Sequence, residues 1–232
     1  MHQPPLESPE IDALLRANGV SHWGVADNDP ALPLAPRLPR AVSLLVSFDL
    51  AQLRGVENGP TEAYFADYQR LNATLNAAAA ALARHLEHCG QRAVAVEATV
   101  AESDGIQDWG DAGVFAHKTA ATQAGLGWIG KTALFVSPLL GPKLRLATVF
   151  TDLDLPPGTP LTVGRCASCR RCVDACPAGA GRDLQWQAGM ARDLLYDEKA
   201  CERHLDDFPD LGGVCGVCVA ACPFGRPERD LP

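Results

Sequence analysis

Eight cysteines arranged in two runs constrain this chain more than any other feature. Cys166, Cys169, Cys172 and Cys176 lead into Pro177, and Cys201, Cys215, Cys218 and Cys222 lead into Pro223. The first run reads C-x2-C-x2-C-x3-C-P, the ligand spacing of a two-cluster ferredoxin-type module. Two residues between ligands let a short loop wrap one face of an iron–sulfur cube, while the fourth thiolate must come from a distant part of the chain. In such modules each Cys-Pro end supplies the distant ligand of the other cluster. The pattern therefore predicts two [4Fe–4S] clusters. Cluster one is assigned to Cys166, Cys169, Cys172 and Cys222, and cluster two to Cys201, Cys215, Cys218 and Cys176. Groups of this kind move single electrons.

Other uses of the cysteines fit the pattern less well. Disulfides need an oxidising compartment, and the sequence opens with no basic, apolar signal segment, so the expected compartment is the cytoplasm. Structural zinc sites use paired C-x2-C knuckles rather than two runs each closed by Cys-Pro. The ninth cysteine, Cys89, precedes Gly90 at the end of an Ala-rich stretch and reads as a small, half-buried hydrophobe. At 232 residues and 47% hydrophobic content the chain can bury a substantial core and still carry a small appended module. Its formal charge of −8 makes it a poor general binder of nucleic acid, which needs Lys and Arg on one face. Arg165, Arg170 and Arg171, with Lys118, Lys131, Lys143 and Arg145 upstream, read as solvated surface with a few anion contacts. No apolar run is long enough to span a membrane.

Periodicity and turn residues organise the rest. A short helix from Pro9 to Asn18 is closed by Gly19, and a proline-rich loop covers Ala31 to Arg40. Ala41–Phe48 is a strand-like apolar run. Thr61 begins a long Ala- and Leu-rich helix, Tyr64 to Cys89, ended by Gly90. Ala93–Val100 alternates as a strand, Ala116–Ala124 is helix-like, and Thr132–Val136 and Leu144–Thr151 are strand-like. Helices alternating with strands predict an α/β (α+β) layered core over residues 1–152. Leu153-Asp-Leu-Pro-Pro-Gly158 breaks the pattern, and residues 153–232 form a small ferredoxin-like domain carrying the clusters.

Gly125-Leu-Gly-Trp-Ile-Gly-Lys-Thr132 matches two phosphate-binding strings, G-x-G-x-x-G and G-x4-G-K-T. Both mechanisms need a strand before the glycines and a helix after them, so that a helix N-terminus faces the phosphates. Here a helix precedes and a strand follows. The glycines read better as a helix-to-strand turn in which Trp128 packs, or as places where backbone approaches a large flat cofactor.

The segment Ala124-Gly-Leu-Gly-Trp-Ile-Gly-Lys131, the strand Leu146-Ala-Thr-Val-Phe-Thr-Asp152 and the two cysteine runs together resemble the epoxyqueuosine reductase family. The resemblance implies a cobalamin-binding reductase core, shared with corrinoid reductive dehalogenases, followed by a ferredoxin-like domain with two [4Fe–4S] clusters. It also implies that an electron donor such as ferredoxin or flavodoxin feeds electrons through the clusters to cobalt. Gly125, Gly127, Trp128, Gly130 and Lys131, with His117 and Lys118, would line the cofactor. The family's proton donor is an acidic residue set thirteen positions before the alanine of this segment, which falls on Asp111. The chain departs from the family in carrying Ala66-Asp67-Tyr68-Gln69 where the family has Arg-Asp-Tyr-His. It stops ten residues after Cys222, without the helical-repeat extension that helps the family hold tRNA, so tRNA is not assumed as a partner. The expected activity is that of an iron–sulfur oxidoreductase of unspecified substrate, with cobalamin as a possible cofactor. The alternative is a ferredoxin-like electron carrier fused to a degenerate cofactor domain.

Overall fold

Ile11 and Leu15 lie one turn apart on the first helix, α1 (Ser8–Ala17), and both are fully buried, which fixes the face it turns inward. The computed structural model describes residues 8–28, 37–99, 116–211 and 213–225. Gly19 follows α1 with φ +82°, the left-handed conformation that closes a helix at low cost in a residue without Cβ. Strand β1 (His22–Asp27) pairs antiparallel with β2 (Arg40–Ser47), Val25 opposite Val42. The long helix α2 (Glu62–His88) begins beside Thr61, whose hydroxyl accepts the Tyr64 backbone N–H. Leu71, Leu75, Ala78, Leu82 and Leu86 recur at three- and four-residue spacing and are fully buried, so they form one continuous stripe.

Strand β3 (Ala93–Val96) and helix α3 (His117–Gln123) follow, then two-residue strands β4 (Trp128–Ile129) and β5 (Phe135–Val136), and the long strand β6 (Leu144–Thr151). The larger sheet has the order β1-β2-β6-β3, with β3 antiparallel to β6 and Ala95 opposite Val149. Its two inner strands, β2 and β6, are buried along nearly their whole length. A strand covered on both faces has no use for alternating polar residues, hence the largely apolar runs Ala41-Val-Ser-Leu-Leu-Val46 and Leu146-Ala-Thr-Val-Phe150, in which Ser43 and Thr148 are themselves fully buried. Short α-helices follow among the described residues: α4 (Arg171–Asp174), α5 (Arg192–Leu195), α6 (Glu198–Leu205) and α7 (Val217–Ala221).

The chain divides into two compact units, each discontinuous in sequence. Unit one comprises Met1–Val46, Leu71–Leu126 and Arg145–Pro160 and holds the larger sheet. Ala26, Ala41, Val96, Ala120, Ala124 and Phe150 form a buried cluster there. Unit two comprises Ser47–Arg70, Gly127–Leu144 and Leu161–Pro232 and holds all eight paired-run cysteines. Its core is Trp128, Ala133, Val136, Trp186 and Leu195. The single cut expected near residue 153 thus differs from the grouping by compactness. Residues 47–70 and 127–144 join the cysteine-bearing unit through spatial contacts that a linear composition shift does not register.

Three local expectations change. The strand expected over Ala93–Val100 is confined to Ala93–Val96 among the described residues. The strand expected over Thr132–Val136 is confined to Phe135–Val136, because Gly130 to Leu134 is a turn: Gly130 N–H donates to Leu134 O at 2.8 Å, and Ala133 sits at φ +55°. Strand β1 was not foreseen, since His22-Trp-Gly-Val-Ala-Asp27 has neither alternation nor an apolar run. Its Gly24 makes room for the Leu126 side chain, which would stand 3.0 Å from a Cβ there. No described helix is long and apolar enough to cross a membrane. Phe150→Ala, which empties a fully buried site in the unit-one cluster, is expected to cost about 3–5 kcal/mol in denaturant unfolding followed by circular dichroism.

Candidate metal centre

The glycine-rich turn after α3 is shaped by the protein's own backbone. Gly125 has φ +75°, and a Cβ on it would lie 2.5 Å from the Thr159 carbonyl oxygen. A Cβ on Gly127 would lie 2.2 Å from the Val136 carbonyl oxygen, across the β4–β5 pair. Gly130 lets the Val136 side chain approach and leaves the Cys166 sulfur 3.8 Å from the position of a Cβ. The room these glycines create is therefore taken by protein. β4 lies between Gly127 and Gly130 and β5 follows, with no helix N-terminus to face a phosphate, so the geometry required by either phosphate motif is missing at this turn.

The other residues expected to line a cofactor are likewise held by protein groups. Trp128 is buried, packs edge-on against Phe224 at 5.0 Å, and donates its indole N–H to the Cys166 sulfur at 3.4 Å. Lys131 is buried and paired with Asp183 at 2.8 Å, and Arg170 takes the other carboxylate oxygen at 2.6 Å. The Lys131 hydrogen bond, more than any other influence, holds the Asp183 carboxyl below the usual range. His117 places Nδ1 2.9 Å from the Thr148 hydroxyl and Nε2 2.7 Å from the Glu97 carbonyl. A neutral ring that donates from Nε2 and accepts at Nδ1 satisfies both contacts. Burial brings its pKa down to about 4, so the ring is neutral at physiological pH. Lys118 follows it in the first turn of α3. Asp111 lies outside the described residues.

Three basic residues read from sequence as solvated surface are engaged instead. Lys131 and Lys143 are both buried. Arg145 donates to Asn72 Oδ1 at 2.8 Å and to Thr99 Oγ1 at 2.9 Å. Lys143 donates Nζ to the carbonyls of Cys222 and Phe224, at 2.8 and 2.6 Å. These partners are far along the chain, which is why charge and hydropathy gave no hint of them.

The eight cysteines of the two runs lie in unit two, and all nine cysteines of the chain are free thiols. Cys166, Cys169, Cys172, Cys218 and Cys222 border one small cavity, with Gly130, Thr132 and Val136 on its wall. Burial pushes the Cys222 thiol up to about 11, against the Phe224 N–H and Lys143, with Cys172 and Cys166 adding to the rise. Burial likewise raises Cys172, whose sulfur accepts the Thr132 hydroxyl and feels Cys166 and Cys169. Cys215 is raised by burial and by Cys201 and Cys176, against the Val217 N–H. Cys218, carried to about 12 by burial, feels cysteines of both runs: Cys172, Cys215, Cys176 and Cys201. Cys176 accepts the Ala180 N–H at 3.4 Å. The Tyr196 hydroxyl bonds Cys201, and burial together with that bond drives the phenol pKa upward. Thr132, Lys143 and Tyr196 were not singled out as site residues from sequence. The string Gly-Lys-Thr drew attention to Thr132 for a different chemistry, and Tyr196 carries no motif.

A second cavity in unit two, of about 810 Å³, is bordered by Leu50, Leu53, Arg54, Glu57, Lys143 and Val217.

The comparisons with known proteins agree with one another. Tetrachloroethene reductive dehalogenase from Sulfurospirillum multivorans is 36% identical over 118 residues, 46% of this chain and 23% of the relative. Epoxyqueuosine reductase from Lactococcus garvieae (strain Lg2) is 32% identical over 120 residues, 50% of this chain and 34% of the relative. Over the matched stretch the chain is similar to both an epoxyqueuosine reductase and a reductive dehalogenase. A solved reductive dehalogenase, described with a mechanism for B12-dependent dehalogenation, superposes with a TM-score of 0.76 over 98% of this chain and 33% of its own, at 20% identity. That likeness establishes a shared mixed helix and sheet fold. The matched stretch amounts to about a third or less of each of these proteins. No protein-family profile matches the chain.

The half-buried His117 sets a pH dependence. Its folded pKa lies below the 6.5 of an exposed histidine, so the unfolded chain binds the extra proton between about pH 6.5 and 4. Stability is fully present above pH 6.5 and falls through that window, by about 3 kcal/mol. His117→Gln should flatten the slope in unfolding measured at stepped pH.

Proposed function

We propose that the chain is an iron–sulfur oxidoreductase that relays single electrons through two [4Fe–4S] clusters to a reductive site. Cluster one is held by Cys166, Cys169, Cys172 and Cys222, and cluster two by Cys201, Cys215, Cys218 and Cys176. The observation that carries the reading is the gathering of these thiols in one unit, with Cys222 beside Cys166 and Cys172 and Cys176 beside Cys215. Thiols raised this far by burial ionise when a cation binds them, and an all-sulfur donor set suits iron–sulfur clusters. The Cys-Pro exchange between runs is the remaining support.

The reductase reading draws on the relatives, an epoxyqueuosine reductase and a tetrachloroethene reductive dehalogenase. Within it, a ferredoxin or flavodoxin supplies electrons and Asp111 gives a proton to the substrate. The residues expected to line a corrinoid do not fit one at the glycine-rich turn. The sides of Gly125 and Gly127 meet backbone, Trp128 turns its N–H to Cys166, and Lys131 ends on Asp183. That same observation favours a second reading, an electron carrier whose upstream portion has lost its cofactor chemistry.

Anaerobic reconstitution with iron, sulfide and added cobalamin separates the two. About eight irons per chain are expected. One retained corrinoid supports the reductase, and none supports the carrier. Cys222→Ser should remove the signal of one cluster in electron paramagnetic resonance and leave the other. Loss of the cluster held by Cys215 and Cys218 would show that the assumed exchange of ligands is wrong.

A further inference from the structure

We propose that Lys143 and Trp128 fix the redox order of the two cysteine sites, holding the Cys166/Cys169/Cys172/Cys222 site at the more positive potential. The inference rests on the cluster reading above and adds a direction to it: an electron entering unit two comes to rest at this site.

A cube held by four thiolates is anionic, and taking up one electron makes it more so. Hydrogen-bond donors and positive charge near the sulfurs therefore favour the reduced form and raise the potential. At the first site the Trp128 indole donates to Cys166 at 3.4 Å. The ring is 1% exposed and pinned edge-on by Phe224, so its N–H has no route to water. Lys143, 2% exposed, is tied to the carbonyls of Cys222 and Phe224, which places its ammonium on the loop that presents Cys222. Charge buried in this way is screened far less than surface charge.

Among the described residues the second site has donors but no cation buried as Lys143 is; Lys199 and Arg203, on either side of Cys201 in α6, are exposed to solvent. The Ala180 N–H serves Cys176, the Val217 N–H serves Cys215 and the Tyr196 hydroxyl serves Cys201, and all three are neutral. Arg192 stands over the Tyr196 ring at 5.2 Å, but it is half exposed and paired with Glu198, so its field is both compensated and screened. Lys131 is no rival to Lys143 at the first site. It shares Asp183 with Arg170, and Arg170 also holds Asp174, so two cations meet two carboxylates. The step itself is the passage of one electron from the second site to the first, with no bond made or broken. A low-potential one-electron carrier supplies the electron.

The test is a redox titration of the anaerobically reconstituted full chain, followed by electron paramagnetic resonance, with iron and sulfide assayed on every sample. Lys143→Gln keeps a donor for the two carbonyls and removes the charge. Trp128→Phe keeps the ring and removes the N–H. Tyr196→Phe is the counterpart at the second site. Lys143→Gln is expected to shift the more positive step about tenfold toward the oxidised form, which is about 59 mV for one electron. Trp128→Phe should move the same step the same way, Tyr196→Phe only the more negative step, and Lys143→Arg should restore the original value. Full iron content with the more positive step unmoved in both Lys143→Gln and Trp128→Phe overturns the inference while leaving the clusters standing. A shift confined to the more negative step does the same. Failure of the unaltered chain to take up about eight irons overturns the cluster reading and this inference together.

Discussion

Drawing a thiol out of water makes its anion costly, and the cysteine-bearing unit holds seven of its run cysteines half-buried and Cys222 buried. Cys218 and Cys222 are driven to about 12 and about 11, values at which neither would ionise near neutrality without a cation to receive it. The surroundings are matched to that need. A backbone N–H, a hydroxyl or an indole N–H meets Cys166, Cys172, Cys176, Cys215 and Cys222. A protein that kept these sulfurs as inert hydrophobes would have no reason to aim donors at them.

The turn between α3 and β4 shows how one segment can carry a recognisable string and still serve packing first. Gly127 is required by the Val136 carbonyl across a two-strand ladder, and Gly125 by a backbone oxygen of Thr159. Trp128 follows immediately, and its position in the ladder directs the indole toward Cys166. The same short turn thus serves the core of unit two and the environment of one sulfur. Replacing any of its glycines would displace Trp128 along with the strand.

What could be read from sequence was what local chemistry determines. The leucine stripe of α2, the capping glycines at 19 and 90 and the largely apolar runs of β2 and β6 are local patterns, and each has its place in the structure. The gathering of the cysteines was also legible, because ligand spacing within a loop is a short-range constraint. The pairing of Lys131 with Asp183, 52 residues away, and the burial of Lys143 against Phe224, 81 residues away, were not. Both depend on long-range contacts, so basic residues with a polar look were assigned to the surface. Strand β1 was missed for a related reason: its pairing with β2 outweighs the poor strand preference of Gly24 and Asp27.

The cysteine-bearing unit draws on three separate stretches of chain, with Ser47–Arg70 and Gly127–Leu144 made well before Leu161–Pro232. During synthesis the early stretches emerge before the segment that carries the sulfurs, and Trp128 is made without its Phe224 partner. Closing such a unit means bringing together residues far apart in sequence, a slow class of folding event. Trp128 packs with Trp186, Leu195 and Phe224, all from the last stretch, so the core around the β4–β5 hairpin is complete only once that segment has joined it.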